Sequence, residues 1–463
     1  MFQMKGRQIE QLFFFRYVQI IRFNSLPFYW FLWFAWFWII FGLFILYTTT
    51  VFTHGLVFIK KQVSWTLLSF LCISIFFQLS KKQFLLIGLI GTLSNLTAIN
   101  YTLLKNFSIN GARRWVEVGP VLYQPVEIQK PFFVIIFGYI SNAPQLQIKN
   151  FFPGDQYSLV QGKNYTFESF FSVFTNFFSK LLPLKKKPIQ TQILLVSGQK
   201  RSKKSSKISP EITNFFSILF TIGVLFGIFL QPDFASGLLY LMILFFLLFI
   251  KKLSYHYLVL LSSFVFLFLL LNILQHPYQL NRILFFLFSS TLTDTFTGNI
   301  PVPSQVTQSL ETILRGGIWG VGLGCSDTNA NTFPIYYADF IFSVFFENFG
   351  LFGSIFFFLF LNFFSSFYIF NCLKLKKSLD ITICLGCFLF LSFQTCIHLA
   401  VTCNLLPITG IPLPFISYGG NAQFACLSLL SLSIRLFYEN IRPIQRQNNF
   451  TFNTKKHLLI DTK

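Results

Sequence analysis

The run Leu406-Pro407-Ile408-Thr409-Gly410-Ile411-Pro412-Leu413-Pro414-Phe415-Ile416-Ser417-Tyr418-Gly419-Gly420 stands between two apolar segments, 380–403 and 421–438. Its three prolines and three glycines cannot continue a helix. Irregular backbone at membrane depth must be buried in protein or line a watery cavity, because hydrocarbon satisfies no N–H or C=O group. A plain surface loop would not need Ile, Leu and Phe between its prolines. The run therefore reads as part of a site inside a membrane protein.

Composition extends that reading to the whole chain. Of 463 residues, 54% are hydrophobic and 11% charged, mean hydropathy is +0.62, and apolar runs repeatedly exceed the roughly 18 residues that cross a bilayer. The expected fold is an all-α polytopic membrane protein. About ten transmembrane helices are read from run length, near 28–48, 63–80, 83–104, 124–142, 213–231, 235–250, 255–275, 340–370, 380–403 and 421–438. A large outer loop, 276–339, joins spans 7 and 8. The net charge of +21 has no nucleic-acid motif beside it, so it is read as the Lys/Arg excess of inward loops, and nucleic acid is excluded as a partner. The 68 phenylalanines, with many Lys, Asn and Ile, point to an AT-rich genome such as an organellar one.

Basic loops set the orientation. Lys81-Lys82, Lys185 to Lys187, Lys200 to Lys207, Lys251-Lys252, Lys374 to Lys377 and the tail fall on one side of a ten-span threading, which makes both termini cytoplasmic or stromal. Residues 1–27 form an inner N-terminal segment whose Arg7, Arg16 and Arg22 precede a retained first span. Spans 1–4 occupy 28–142, a basic inner insertion follows at 143–211, spans 5–10 with the outer loop occupy 212–438, and 439–463 is an inner tail. Cys384 and Cys387 spell CxxC, but in an apolar run they read as small helix residues and not as a redox pair.

Three constellations could carry chemistry. Asn110-Gly111-Ala112-Arg113-Arg114-Trp115 places two arginines on the face that positive charge normally avoids, and Gln124-Pro125-Val126-Glu127-Ile128-Gln129-Lys130 sets Glu127 and Lys130 at i,i+3. An anchoring Arg beside a structural ion pair is the competing reading. In the second constellation, Gln308-Ser309 precedes the glycine run 316–324, and Asp339 opens a very apolar span. Desolvation there favours the neutral carboxyl and raises its pKa, which suits a general base, although Asp is equally a helix cap. Glu347, two turns deeper, reads as a structural partner for a neighbouring helix. The third is the opening run, preceded by Gln394 and His398.

These patterns together resemble the FtsW/RodA/SpoVE family, the SEDS proteins of cell division and elongation. The matching stretches are NGxxRW with QPxE and Lys in 110–130, Gln231-Pro232-Asp233, QSL with the glycine run in 308–324, DFIF in 339–342 with Gly350, and PxTGIPLPFISYGG in 407–420. The resemblance covers the chain apart from 143–211 and the termini, and it implies an FtsW-like peptidoglycan glycosyltransferase that polymerises lipid II. In that chemistry the acceptor GlcNAc 4-hydroxyl attacks the donor's anomeric carbon, and undecaprenyl pyrophosphate leaves with inversion. Asp339 takes the place of the family's essential aspartate. Arg114 and Lys130 take its cationic positions, and Glu127, Gln124, Gln308, Pro412, Pro414, Ser417, Gly419 and Gly420 complete the implied substrate site. No resident cofactor is implied beyond a divalent cation, Mg or Mn, at the pyrophosphate. Implied partners are lipid II, the growing glycan strand, a class B penicillin-binding protein (a transpeptidase) and division proteins.

The chain departs from the family where Pro334 is followed by Ile335-Tyr336-Tyr337-Ala338 instead of Glu-Ala-His-Thr, and His398 replaces an Asn. Two other readings use the same residues: a lipid II flippase, with the charges lining a headgroup path, and a non-catalytic division scaffold. Composition and the insertion favour a plastid or chloroplast membrane over a bacterial inner membrane.

Overall fold

The computed structural model describes residues 30–51, 55–104, 114–142, 210–251, 277–288, 304–324 and 336–460, apart from isolated positions, with backbone alone after 440. The N-terminal segment, nearly all of the insertion and nearly all of the expected seventh span at 255–275 lie outside these residues. The chain forms two compact units, 1–141 with 216–463 and 142–215. The site belongs to the first.

Among the described residues the helices are α1 (Trp33–Val51), α2 (Val57–Gln78), α3 (Lys81–Leu104), α4 (Pro125–Ser141), α5 (Pro210–Leu230), α6 (Phe234–Ile250), α7 (Pro277–Phe288), α8 (Ser304–Gly316), α9 (Tyr336–Asp339), α10 (Ile341–Leu373), α11 (Ser378–Thr402) and α12 (Gly420–Ile460). Trp33–Val51, Gln83–Leu104, α10 and α11 are long and apolar enough to cross a membrane. α10 carries exposed Leu351, Phe352, Ile355, Phe356 and Leu359, the surface a lipid-facing helix needs.

α4 lies at the centre, packed against α3, α11 and α12. Nearly all of its residues are buried, Glu127 and Lys130 included. α6 closes over α11, and α12 also packs on α2. The outer loop is not featureless, since it contains α7, α8 and α9.

The expected helical fold holds, with one small addition among the described residues: Val116–Val118 (β1) pairs antiparallel with Val121–Tyr123 (β2), with Glu117 opposite Leu122. β-branched residues on either side of Gly119, which turns at φ +61°, favour a hairpin over helix.

α10 breaks at Gly350 (φ 65°, ψ −166°). The backbone groups released by the break are taken up by the glycine run: Val321 N–H donates to Glu347 O (2.9 Å) and Gly322 N–H to Asn348 O (3.2 Å), while Leu351 N–H donates to Gly317 O (3.0 Å) and Phe352 N–H to Ile318 O (3.1 Å). A Cβ on Gly350 would lie 2.4 Å from Gly320 N, and one on Gly320 would lie 2.3 Å from Asn348 O. The run is thus a joint in a membrane helix. Arg315 of α8 reaches buried Glu347 at 3.5 Å, the structural pairing expected for that residue.

Candidate active site

Asp339 ends α9, one residue before α10 begins. It is half-buried, and a Cβ built on Gly410 would stand 3.7 Å from its Oδ2, so the Pro/Gly run passes directly beside the carboxyl. Burial pushes its pKa up to about 6, with the attraction of the Arg282 and then the Arg114 guanidinium offsetting part of that rise. A carboxylate in this range is ionised at neutral pH yet basic enough to accept a proton.

Both arginines are fixed by the fold. Arg282 of α7 donates from Nη1 to Ile408 O (3.1 Å). Arg114 is 26% exposed and lies 3.6 Å from the buried Asp233 carboxylate, whose Oδ1 also accepts from Ser236 N–H to cap α6. Asp233 of the Gln231-Pro232-Asp233 motif is therefore what aims Arg114. Arg282 was not singled out in the sequence, although the rule that flags Arg114, a cation on the face that avoids cations, applies to it as well.

The loop is held in place at several points. Ser417 Oγ accepts from Leu413 N–H (2.9 Å) and donates to Ala338 O (2.6 Å), and Tyr418 N–H donates to Tyr337 O (3.1 Å). Gln62 of α2, also missed in the sequence, donates to Ser417 O (3.3 Å) and accepts from Gly419 N–H (3.2 Å). A Cβ on Gly420 would lie 2.2 Å from Trp65 Nε1. Pro414 is buried and Pro412 half-buried, with the Pro412 carbonyl bonded to Gln394 Nε2 (2.8 Å). These residues shape the wall beside Asp339.

Lys130 sits differently from Arg114. Its side chain is wholly buried, and its ammonium donates to Glu127 Oε2 (2.6 Å) and Gln394 Oε1 (2.9 Å). Gln124 stands just ahead of α4. Gln308 lies on α8, where the neighbouring Ser309 donates to Thr402 O of α11 (3.0 Å). Asn110 to Arg113 and Pro334-Ile335 lie outside the described residues. In the divergent segment, Tyr336 is fully buried and donates to Thr49 O of α1 (3.0 Å), and Tyr337 packs against Phe58 and Tyr418. The donors near Asp339 do not fit a Mg or Mn ion caged by protein alone, since no three His, Cys, Asp or Glu side chains converge as ligands among the described residues.

The sequence matches the FtsW/RodA/SpoVE model, described as cell cycle protein, over residues 25–156 and 188–440. A Mesostigma viride relative with the provisional name peptidoglycan glycosyltransferase FtsW is 28% identical over 408 residues, 87% of this chain and 82% of its own length. A Synechocystis relative provisionally given the same name is 29% identical over 332 residues, 72% of this chain and 67% of its own. Among solved structures, a chain of a peptidoglycan synthase complex superposes with TM-score 0.60 at 20% identity, covering 89% of this chain and 98% of that one. The Thermus thermophilus rod shape determining protein RodA superposes with TM-score 0.53 at 18% identity, covering 89% and 96%.

Proposed function

The chain belongs to the FtsW/RodA/SpoVE family, and from that premise we propose that it is a membrane-embedded peptidoglycan glycosyltransferase that polymerises lipid II, acting in division. The observation that carries the reading is a lone half-buried carboxylate, Asp339, with pKa about 6, flanked by the fields of Arg282 and Arg114. Asp339 takes the proton from the GlcNAc 4-hydroxyl as that oxygen bonds to the donor's anomeric carbon. The bond from that carbon to the phosphate oxygen breaks, and undecaprenyl pyrophosphate departs with its electron pair, inverting the centre. Arg114 and Arg282 stabilise the negative charge that develops on the diphosphate, an effect enlarged where water is excluded. A divalent cation bound through the diphosphate's own oxygens would add to that charge stabilisation.

Its proposed partner is a class B penicillin-binding protein that crosslinks the strands made, a reading supported by the likeness to a chain of a peptidoglycan synthase complex. The relatives from Mesostigma viride and Cyanophora paradoxa, with the AT-rich residue usage, support a plastid membrane as its location. Purified chain with its partner is expected to extend glycan strands from lipid II, and Asp339→Asn to reduce the rate at least 100-fold, within the range removal of a general base produces. Polymerisation by Asp339→Asn at near wild-type rate would falsify the base assignment. Headgroup translocation in liposomes without polymer, equal in both forms, would replace the enzyme reading with a flippase.

A further inference from the structure

Gln394 takes no part in the reaction above, yet it is fully buried on α11 and its amide is used at both ends. Its Oε1 accepts from Lys130 Nζ (2.9 Å) and its Nε2 donates to Pro412 O (2.8 Å). One helical turn on, His398 Nδ1 lies 2.9 Å from Ile411 O. A carbonyl can only accept, so that nitrogen carries the proton. α11 thus grips two consecutive carbonyls of the Pro/Gly run. Beyond them the chain turns through Phe415 at φ 66°, and Ser417 ties the run to Ala338 O (2.6 Å), the carbonyl immediately before Asp339.

A buried ion pair is a poor source of net stability, and in some proteins its use is to fix one arrangement. Here the pair Glu127–Lys130 is buried on the central helix α4, and Gln394 is bonded both to it and to the loop. A primary amide donates to a carbonyl through its NH2 and accepts from an ammonium through its oxygen at once; an ionised carboxylate accepts alone, and an apolar side chain does neither. We infer that Gln394 is a positioning residue, which transmits the fixed geometry of Glu127–Lys130 through Pro412 and Ser417 to the backbone that aims Asp339. The inference rests on Asp339 as the base. Under it Glu127 and Lys130 also act through the loop and do not touch the diphosphate.

Gln394→Glu tests this, since it keeps an acceptor for Lys130 and turns an oxygen toward the Pro412 carbonyl. Hydrogen exchange on the full-length chain in detergent is expected to rise at least tenfold in peptides covering 411–418, with peptides covering the Gly350 joint unchanged. In the lipid II assay kcat is expected to fall 10- to 100-fold with KM within twofold of wild type, the signature of a misplaced base. Unchanged exchange in the loop overturns the inference whatever the activity does. A raised KM with kcat retained also overturns it, because Gln394 would then touch substrate. Faster loop exchange in a chain whose wild type makes no polymer supports the anchoring and overturns the glycosyltransferase reading instead. Should Gln394→Glu not fold, Ser417→Ala cuts the same path at its far end and is expected to give the same pair of changes.

Discussion

At the scale of single residues, the burial that would suit Asp339 to the proposed base role also strains the fold. Its folded pKa, about 6, lies above the ordinary aspartate value of 3.8. The folded state therefore binds this proton more tightly than the unfolded chain does. The stability this group contributes is full below about pH 4 and is lost as pH rises through 6. Asp339→Asn removes the charge and is expected to melt higher than wild type at pH 7.5, by on the order of 1–3 kcal/mol, with the difference gone below pH 4. Catalysis runs the other way: the rate should fall about tenfold per pH unit below 6, as the base is protonated. Thermal melting and a pH–rate profile check both limbs, and a mutant melting lower at pH 7.5 would contradict the assignment. Asp339 and Arg114 were legible in the sequence because each is an ionisable residue where ionisable residues are disfavoured. The burial of Lys130 was not, since i,i+3 spacing to Glu127 fixes which helix face they share but not which way that face looks.

At the scale of elements, the four helices long and apolar enough to span among the described residues, Trp33–Val51, Gln83–Leu104, α10 and α11, were legible because length and hydropathy alone decide whether a segment can cross a bilayer. The joint between the glycine run and α10 was not, because its two halves, 317–322 and 347–352, are distant in the sequence and meet only through backbone hydrogen bonds. Two neighbouring glycines separate conformation from contact. Gly320 and Gly322 both have positive φ, at 81° and 93°, but only Gly320 faces Asn348 O at 2.3 Å from a built Cβ, while Gly322 faces open space. Gly322→Ala is expected to cost about 1–2 kcal/mol, the penalty of left-handed backbone. Gly320→Ala should cost clearly more, since the joint must open to admit the methyl. Melting of the two variants in the same detergent gives the comparison, and equal losses would show that the joint does not close there. The hairpin at 116–123 went unread because its strands are three residues each, too short for an alternation pattern to stand out.

At the scale of the whole molecule, the family match stops at residue 156 and resumes at 188, and the compact unit 142–215 is separate from the one that carries Asp339. Removing 157–187 is accordingly expected to leave lipid II polymerisation within about twofold of wild type, measured with purified chain, and a loss beyond tenfold would assign that segment a part in the reaction. The sequence by itself determined that this is a polytopic helical membrane protein of the FtsW/RodA/SpoVE type, because hydrophobic run length is a local quantity and because the Pro/Gly run and DFIF are each short, unbroken motifs. It also set Asp339 and the run on one face of the ten-span threading, as parts of one candidate site. Only the tertiary structure decided the roles within that site: Arg282 and Arg114 bear on Asp339, Lys130 is locked to Glu127 and Gln394, and the run is held by Gln62, Gln394, His398 and Ser417. Those assignments depend on which donors and acceptors from separate helices come within about 3 Å of each other, a matter of packing that no single segment encodes.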